Sequence, residues 1–329
     1  MIIQDISLKN FRCHSQYRLD FEKQTTQILG ENGSGKTSVL EAIYVAVQGK
    51  SFKAVDREII RRGSEFYRIE LNFLDGEKTV VAYDGTKKSF MVSDKKWARL
   101  PKKNRYPAVL FEPADLALIT SSPTRRRDYF DRFLAQFSEG YSSALSRYNK
   151  ALKQRNELLK REFTSAEDLF SWDVLLARYG VIIREKRMAL VSALNDRLTG
   201  VYRGISENRD EVTLVYNSYT GEALESEYLR LLSLDFERDR LTGHTNFGVH
   251  KDDFVFLFNS VPADGTASRG EMRSIILALK FIEAEMLFEE LHKKPLVLLD
   301  DVFSELDETR QKALVKNFQE NQVILTSVS

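Results

Sequence analysis

Cysteine is almost missing from this chain: Cys13 is the only one in 329 residues. A single thiol excludes a disulfide framework within the chain and fits a reducing compartment. No run of about 18 apolar residues occurs, so no segment is suited to spanning a bilayer. The start, Met1 to Asp5, lacks the basic and then apolar sections of a signal peptide. The four histidines are scattered, with no cysteine or histidine neighbour at ligand spacing, which argues against a structural zinc site. An excess of charge of one sign is lacking too. Lys and Arg total 49 against 48 Asp and Glu, so net charge names no partner and only local clusters can. These absences point to a cytoplasmic protein with no membrane partner. The length suits one large domain or two lobes.

What is present starts with Gly30-Glu31-Asn32-Gly33-Ser34-Gly35-Lys36-Thr37, a complete G-x-x-x-x-G-K-T phosphate loop. Thr26–Leu29 before it reads as a strand. From Ser38 to Gln48 the apolar residues Val39, Leu40, Ile43, Tyr44 and Val47 take helical spacing. In that context the glycines let backbone N–H groups surround a β-phosphate at a helix N-terminus. Lys36 can reach the β/γ oxygens and the Thr37 hydroxyl can hold Mg²⁺. Residues 30–38 are therefore the candidate binding site for a nucleoside triphosphate, ATP by default.

Near the opposite end, Pro295 to Leu299 is an apolar run that stops at Asp300-Asp301, the pattern of a buried parallel strand presenting carboxylates at its C-terminal edge. This reads as a Walker B motif, so the two chain ends must lie side by side with the middle inserted as a lobe. Alternation in Leu19–Phe21 and Ile69–Phe73, with turns at Asp75-Gly76 and Asp84-Gly85, predicts further strands and a meander arm at Lys78–Tyr83. From Ser122-Pro123 the pattern becomes helical. One amphipathic stripe runs from Phe130 to Tyr148, and a second pattern from about Ala166 to Tyr202. Each is under forty residues, a short arm of about 60 Å at most.

Ala267-Ser268-Arg269-Gly270-Glu271 precedes another helical run. Ser268 and Glu271 form an S-x-x-E capping box, which by itself means only a well-started helix. Ahead of a Walker B strand and Ser304-Glu305-Leu306-Asp307, the same residues fit the signature motif and D-loop of ABC-type ATPases. Further blocks narrow the class: Leu8-Lys9-Asn10-Phe11-Arg12, Gly49-Lys50-Ser51-Phe52-Lys53, Pro123-Thr124-Arg125-Arg126-Arg127-Asp128-Tyr129-Phe130-Asp131 and Gly248-Val249-His250-Lys251-Asp252-Asp253-Phe254. Together, and in this order over nearly the whole chain, they resemble the RecF family of SMC/ABC-type ATPases.

That resemblance implies an α/β fold: an ABC-type ATPase head, a P-loop lobe formed by both chain ends, with an inserted, mainly helical lobe carrying a short arm. The expected divisions are residues 1–118 and 293–329 for the ATPase lobe and 119–292 for the inserted lobe. It implies that Asn10 and Arg12 lie beside the phosphates. Lys36, Thr37 and Asp300 would hold the phosphates and Mg²⁺, and Asp301 would stand where many ABC ATPases orient the attacking water through a glutamate. The shorter side chain suggests slow hydrolysis, and the resemblance implies that DNA stimulates it. Ser268, Arg269 and Gly270 would act in trans, in a homodimer that closes on ATP. The implied task is recombinase loading in recombinational repair, replication restart and the SOS response, at the nucleoid, with RecR- and RecO-like mediators.

The chain departs from the family pattern at Val249 and Lys251, where Pro and Arg are usual, and it ends earlier than most members. The segment Gln322–Ser327 has no switch histidine. No glutamine takes a Q-loop position near Phe111, which leaves Glu112 or Asp115 for that role.

For double-stranded DNA or single/double-strand junctions, residues 86–105 supply Lys87, Lys88, Lys95, Lys96, Arg99, Lys102, Lys103 and Arg105 against one acid, Asp94, with Phe90 and Trp97 interleaved. A second cluster holds Lys50, Lys53, Arg57, Arg61 and Arg62. The plain alternative for both is a solvated face. For Arg125-Arg126-Arg127 the alternative is pairing with acids, which ranks that cluster last. Rival readings are an SMC-like head in chromosome maintenance, an OLD-family nuclease and a transporter ATPase. The short arm opposes the first, the few residues after Asp301 the second, and the absent switch histidine the third.

Overall fold

The computed structural model describes residues 2–219 and 224–328, apart from the side chain of Ser304. The chain forms two compact units, Met1–Leu116 with Lys280–Ser329, and Ala117–Leu279.

The chain enters the first unit through β1 (Ile3–Phe11), β2 (His14–Asp20), β3 (Thr25–Leu29), α1 (Lys36–Gln48) and α2 (Asp56–Ile59). There follow β4 (Tyr67–Phe73), β5 (Lys78–Tyr83), β6 (Lys88–Val92), β7 (Lys95–Trp97), β8 (Ala108–Phe111) and α3 (Pro113–Leu116). The second unit holds α4 (Pro123–Phe137), α5 (Tyr141–Leu159), α6 (Ala166–Ser206), β9 (Val212–Asn217), α7 (Glu225–Leu234), α8 (Phe236–Thr242), β10 (Asp253–Phe258) and β11 (Val261–Pro262). Helix α9 (Arg269–Leu291) leads back to β12 (Leu296–Leu299), α10 (Glu308–Phe318) and β13 (Val323–Ser327).

Two sheets build the first unit. Strands β3, β13, β12 and β8 pair in that order, all parallel, so the first and last segments of the chain are hydrogen-bonded neighbours. Every residue of β8 and β12 is buried, as in a parallel sheet covered on both faces. The second sheet is an antiparallel run, β2-β1-β4-β5-β6-β7. In β4 the residues Tyr67, Ile69, Leu71 and Phe73 point inward, and Arg68, Glu70 and Asn72 alternate with them.

Helix α1 packs against both sheets, with Leu40, Ile43, Leu71, Leu298 and Ile324 in one core. Its residues from Val39 to Gln48 are all buried, so the one-sided apolar spacing read from the sequence understates its burial. The polar members of that stretch are satisfied: Gln48 Nε2 donates to Tyr106 O (2.7 Å), and Glu41 accepts from Arg12 and Ser51.

In the second unit the stripe from Phe130 to Tyr148 is two helices rather than one. It breaks at Ser138–Gly140, where Gly140 takes φ 74°. Ser122 caps α4, with Pro123 in its first turn. Helix α6 starts from a Ser165–Asp168 capping box and runs 41 residues, slightly beyond the expected forty. Strands β11, β10 and β9 form an antiparallel sheet, and Phe130 of α4 lies 4.2 Å, centroid to centroid, from Phe254 of β10.

The return to the first unit falls inside α9, not after it at residue 292 as the sequence pattern suggested. The reason lies in where side chains bind. Buried Lys280 donates to Leu110 O (2.6 Å) and pairs with Asp115 (3.1 Å), and Phe281 meets Phe318.

Candidate nucleotide site and nucleic-acid interface

Parallel strands present their C-terminal edges together, and here three of those edges carry chemistry. The loop after β3 is the phosphate loop, β12 ends in Asp300 and Asp301, and β13 carries Thr326 near its end. The phosphate loop and Asp301 line a cavity of about 520 Å³, together with residues that include Arg12, Asn32, Gly33, Gly35, Lys36, Thr37 and Ser38. Lys36 Nζ donates to the carbonyls of Gly30 (2.7 Å) and Glu31 (2.9 Å), which folds the side chain along the loop. Gly35 takes φ 96°, and a Cβ there would meet Cys13 Sγ at 2.4 Å and His14 Nε2 at 2.6 Å. The positive φ favours glycine, and any side chain there would have to displace Cys13 and His14.

Thr37 Oγ1 donates to Asp300 Oδ1 at 2.6 Å. A hydroxyl and a carboxylate at that spacing are hard oxygen donors suited to Mg²⁺, and Asp300 is 4 % exposed. Asp301 takes φ 53°, the left-handed region that costs a non-glycine residue about 1 kcal/mol or more. Its N–H donates to Thr326 Oγ1 at 2.9 Å.

The β1–β2 turn closes one side of the cavity. Asn10 and Arg12 both take positive φ. The turn is tied to the end of α2 by Arg12 N to Ile59 O (2.8 Å) and to the segment after it by Arg61 N to Asn10 O (2.9 Å). Arg12 Nε and Nη2 form a two-point pair with Glu41, both bonds 2.7 Å, and Nη1 donates to Glu58 O at 3.0 Å. The Glu41 carboxylate holds this guanidinium above its ordinary pKa. Arg12 therefore reaches the cavity as a clamped group, whereas Asn10 does not line it and is bonded through its carbonyl to Arg61 N–H. Neither Gly30, Glu31 nor Ser34 lines the cavity.

A family model described as an AAA ATPase domain matches residues 1–174. The DNA replication and repair protein RecF of Lachnoclostridium phytofermentans is 33% identical over 99% of this chain and 92% of its own length. The protein of the same name from Bacteroides thetaiotaomicron is 33% identical over 96% of this chain and 87% of its own. A solved structure of the recombination mediator protein RecF with ATP, in the RecFOR pathway, superposes with a TM-score of 0.89. It is 30% identical and covers 100% of this chain and 92% of that one. This chain belongs to the RecF family.

Two RecF-family blocks interlock in the second unit. Arg126 pairs with Asp253, and Arg127 Nη1 donates to Asp252 O (2.6 Å). Arg187 holds Asp131 through two bonds and donates to Val249 O (2.7 Å). The arginine run is thus committed to internal acids and carbonyls at Arg126 and Arg127. His250 sits in a directed chain of hydrogen bonds. Its Nε2 must donate to Thr245 O (3.0 Å), so Nδ1 accepts from Tyr148 OH (2.8 Å), which in turn accepts from Tyr228 OH (3.0 Å). Gly248 is required beside them, since a Cβ would lie 2.4 Å from both tyrosine oxygens. Lys251 is exposed.

Ser268 and Glu271 make the capping box in full: Ser268 N donates to Glu271 Oε2 (2.6 Å), and Glu271 N to Ser268 Oγ (3.3 Å). Ser268 and Arg269 are exposed and Gly270 half-buried at the start of α9. Asp307 caps α10, and the Ser304 side chain lies outside the described residues. Asp115 does not stand free as a Q-loop substitute. It is buried, paired with Lys280, and accepts from Glu112 N (3.0 Å).

The basic candidates divide. Lys87, Lys95, Lys96 and Lys103 are exposed and make no ion pair among the described residues, and Lys102 is exposed beside them in a 3-10 turn. Lys88 is withdrawn, since it pairs with Asp56 at 2.6 Å. Arg61 and Arg62 are both exposed, and Arg62 also lines the candidate nucleotide cavity. Sequence reasoning also missed Cys13, Glu58 and Ile60 in that lining, and Lys53, whose ammonium lies 3.3 Å from Asp300 Oδ2. No spacing rule links these residues to the phosphate loop. The tie between the β1–β2 turn and Ile59–Arg61 brings Glu58, Ile60 and Arg62 there.

Proposed function

We propose that this chain is a slow, DNA-stimulated ATPase that closes as a homodimer around ATP and acts as a DNA clamp in recombinational repair and replication restart. The observation that carries the reading is that Lys36, Thr37 and Asp301 line one cavity, with Asp300 bonded to Thr37, in a chain related to RecF proteins over nearly its whole length. Lys36 and the loop N–H groups bind the β/γ-phosphates. Thr37 and Asp300 hold Mg²⁺, which when bound neutralises charge on the phosphate oxygens. Asp301 orients the attacking water, and Arg62 and Ile60 wall the nucleotide. Ser268, Arg269 and Gly270 complete the partner's site at a helix N-terminus.

The exposed lysines 87, 95, 96, 102 and 103 bind backbone phosphates of duplex or junction DNA without reading sequence. RecR- and RecO-like proteins are the partners in loading recombinase, and the setting is the cytoplasm, at the nucleoid. Among the described residues, no helix is long and apolar enough to cross a membrane.

ATP turnover measured against protein concentration, with and without duplex DNA, tests this reading. Turnover per subunit should climb with concentration and again with DNA. A rate per subunit indifferent to both would remove the trans-acting signature and the clamp.

A further inference from the structure

Strand β13 is apolar from Val323 to Leu325 and then places a threonine, 1 % exposed, where valine would fill the same space. A buried hydroxyl costs stability unless its bonds are made, so this one is informative. Thr326 Oγ1 accepts from Asp301 N–H (2.9 Å). Its single proton then has two acceptors within reach, Asp300 Oδ1 at 3.1 Å and Leu299 O at 3.5 Å. The carboxylate is nearer and charged, and takes it. One hydroxyl on β13 therefore grips both acids at the end of β12.

The other donors around Asp300 define what that grip does. Oδ1 also accepts from Thr37 Oγ1, and Oδ2 faces the Lys53 ammonium. With Thr37, Thr326 and Lys53 on three sides, the carboxylate has one orientation. Asp301, meanwhile, is held at φ 53°, a conformation that a neighbour must stabilise. The N–H bond to Thr326 supplies that, and turns the Asp301 side chain to the cavity it lines.

We propose that Thr326 is a positioning residue of the hydrolytic site, fixing Asp300 against Thr37 and holding the Asp301 backbone so that its carboxylate faces the nucleotide. Thr326 touches neither phosphate nor water; it acts through the two acids. The inference rests on the ATPase reading above.

The test compares Thr326→Val, Thr326→Ser, Asp301→Asn and the Asp301→Asn/Thr326→Val double variant with the parent chain. Binding of a fluorescent ADP analogue is titrated without Mg²⁺ and then against Mg²⁺, alongside steady-state ATP turnover and thermal melting. For Thr326→Val, Mg²⁺-free affinity should stay within about twofold, and the Mg²⁺ concentration at half-effect should rise several-fold. Its kcat should fall by about tenfold to a hundredfold with KM little changed, the scale of a small misplacement of reacting groups. Thr326→Ser, which keeps the hydroxyl, should recover most of both. Adding Thr326→Val to Asp301→Asn should cost less turnover than it costs the parent, since part of its effect passes through Asp301 and part through Asp300.

The proposal is overturned if Thr326→Val turns over within twofold of the parent, or if the serine variant is as defective as the valine one. Full additivity in the double variant would also overturn it. If the parent chain shows no turnover at all, the ATPase reading fails instead. The Mg²⁺ titration still decides for Thr326, since an unshifted midpoint sinks its hold on Asp300.

Discussion

Arg126 and Asp253 meet in a two-point pair, Nε to Oδ1 at 2.8 Å and Nη2 to Oδ2 at 2.7 Å, joining two sequence blocks far apart in the chain. The same guanidinium donates to the carbonyls of Ile119 and Ser121 just before α4. One side chain thus fixes the start of α4 to the start of β10. This is why an arginine is needed: only a planar fork satisfies a carboxylate and two carbonyls at once.

Replacement of Arg126 by alanine should therefore destabilise the second unit by about 3 kcal/mol, because it leaves a largely buried Asp253 without its partner. Arg126→Lys should recover less than half of that. Urea unfolding followed by tryptophan fluorescence measures both, and full recovery by lysine would mean that charge alone, not the fork, is required.

The phosphate loop offers a prediction with an internal control. Gly35→Ala must hold a positive φ and push against Cys13 and His14, so nucleotide affinity should drop at least about tenfold. Gly76→Ala has a similar φ of 84° but open space around it. It should lose only about 1 kcal/mol of stability and bind nucleotide normally. Unchanged nucleotide affinity for Gly35→Ala would show that neither the positive φ nor the close approach at Gly35 matters for the loop.

Lys95, Lys96 and Lys103 have two readings that one experiment separates. Lys95 and Lys96 lie on β7, the edge of the six-stranded sheet, where lysines also discourage edge-to-edge pairing. If the three bind DNA phosphates, changing them to glutamate should weaken duplex binding by about tenfold or more and flatten its salt dependence by about two to three in slope. The melting temperature should hardly move, because all three are exposed. Unchanged DNA affinity would leave the two on β7 as guards of a sheet edge.

Two titratable groups in the second unit, half-buried His250 and buried Asp252, make opposing contributions to acid stability. Burial pushes His250 down to about 4, so the unfolded chain takes up its proton first. The stability it contributes is complete above pH 6.5 and is lost as pH falls from there toward 4. Burial lifts Asp252 to about 6, so its cost is complete above pH 6 and is relieved as pH falls through that value. Replacing His250 by glutamine should remove the first contribution alone. The parent should lose about 2 kcal/mol more than His250→Gln between pH 7.5 and 5, read as the difference in melting temperature shifts. Parallel shifts in the two proteins would mean that His250 does not titrate in this range.

Much of the nucleotide site is legible in the sequence. The phosphate loop is a contiguous backbone motif, and its glycines, Lys36 and Thr37 act through local geometry. The same holds for the Ser268–Glu271 box, whose bonds span one helical turn, and for the Leu296–Asp301 run, whose burial and terminal acids mark an interior strand. The helical stripe from Phe130 to Tyr148 was less well read. Its spacing continues through Ser138–Gly140, and only the positive φ of Gly140 reveals the break.

Sequence alone therefore determined the family, the phosphate loop and the acids that face it, because these depend on residues close together or on apolar patterns that allow one answer. Tertiary structure decided which charges are free. Lys88 and Lys96 look alike in the chain, yet one pairs with Asp56 and the other faces solvent. It also decided that Arg62 joins the nucleotide cavity and that Thr326 bridges Asp300 and Asp301. Such contacts depend on the register between distant strands and on how loops cross, and a slip of one residue would turn Thr326 to the other face of its sheet.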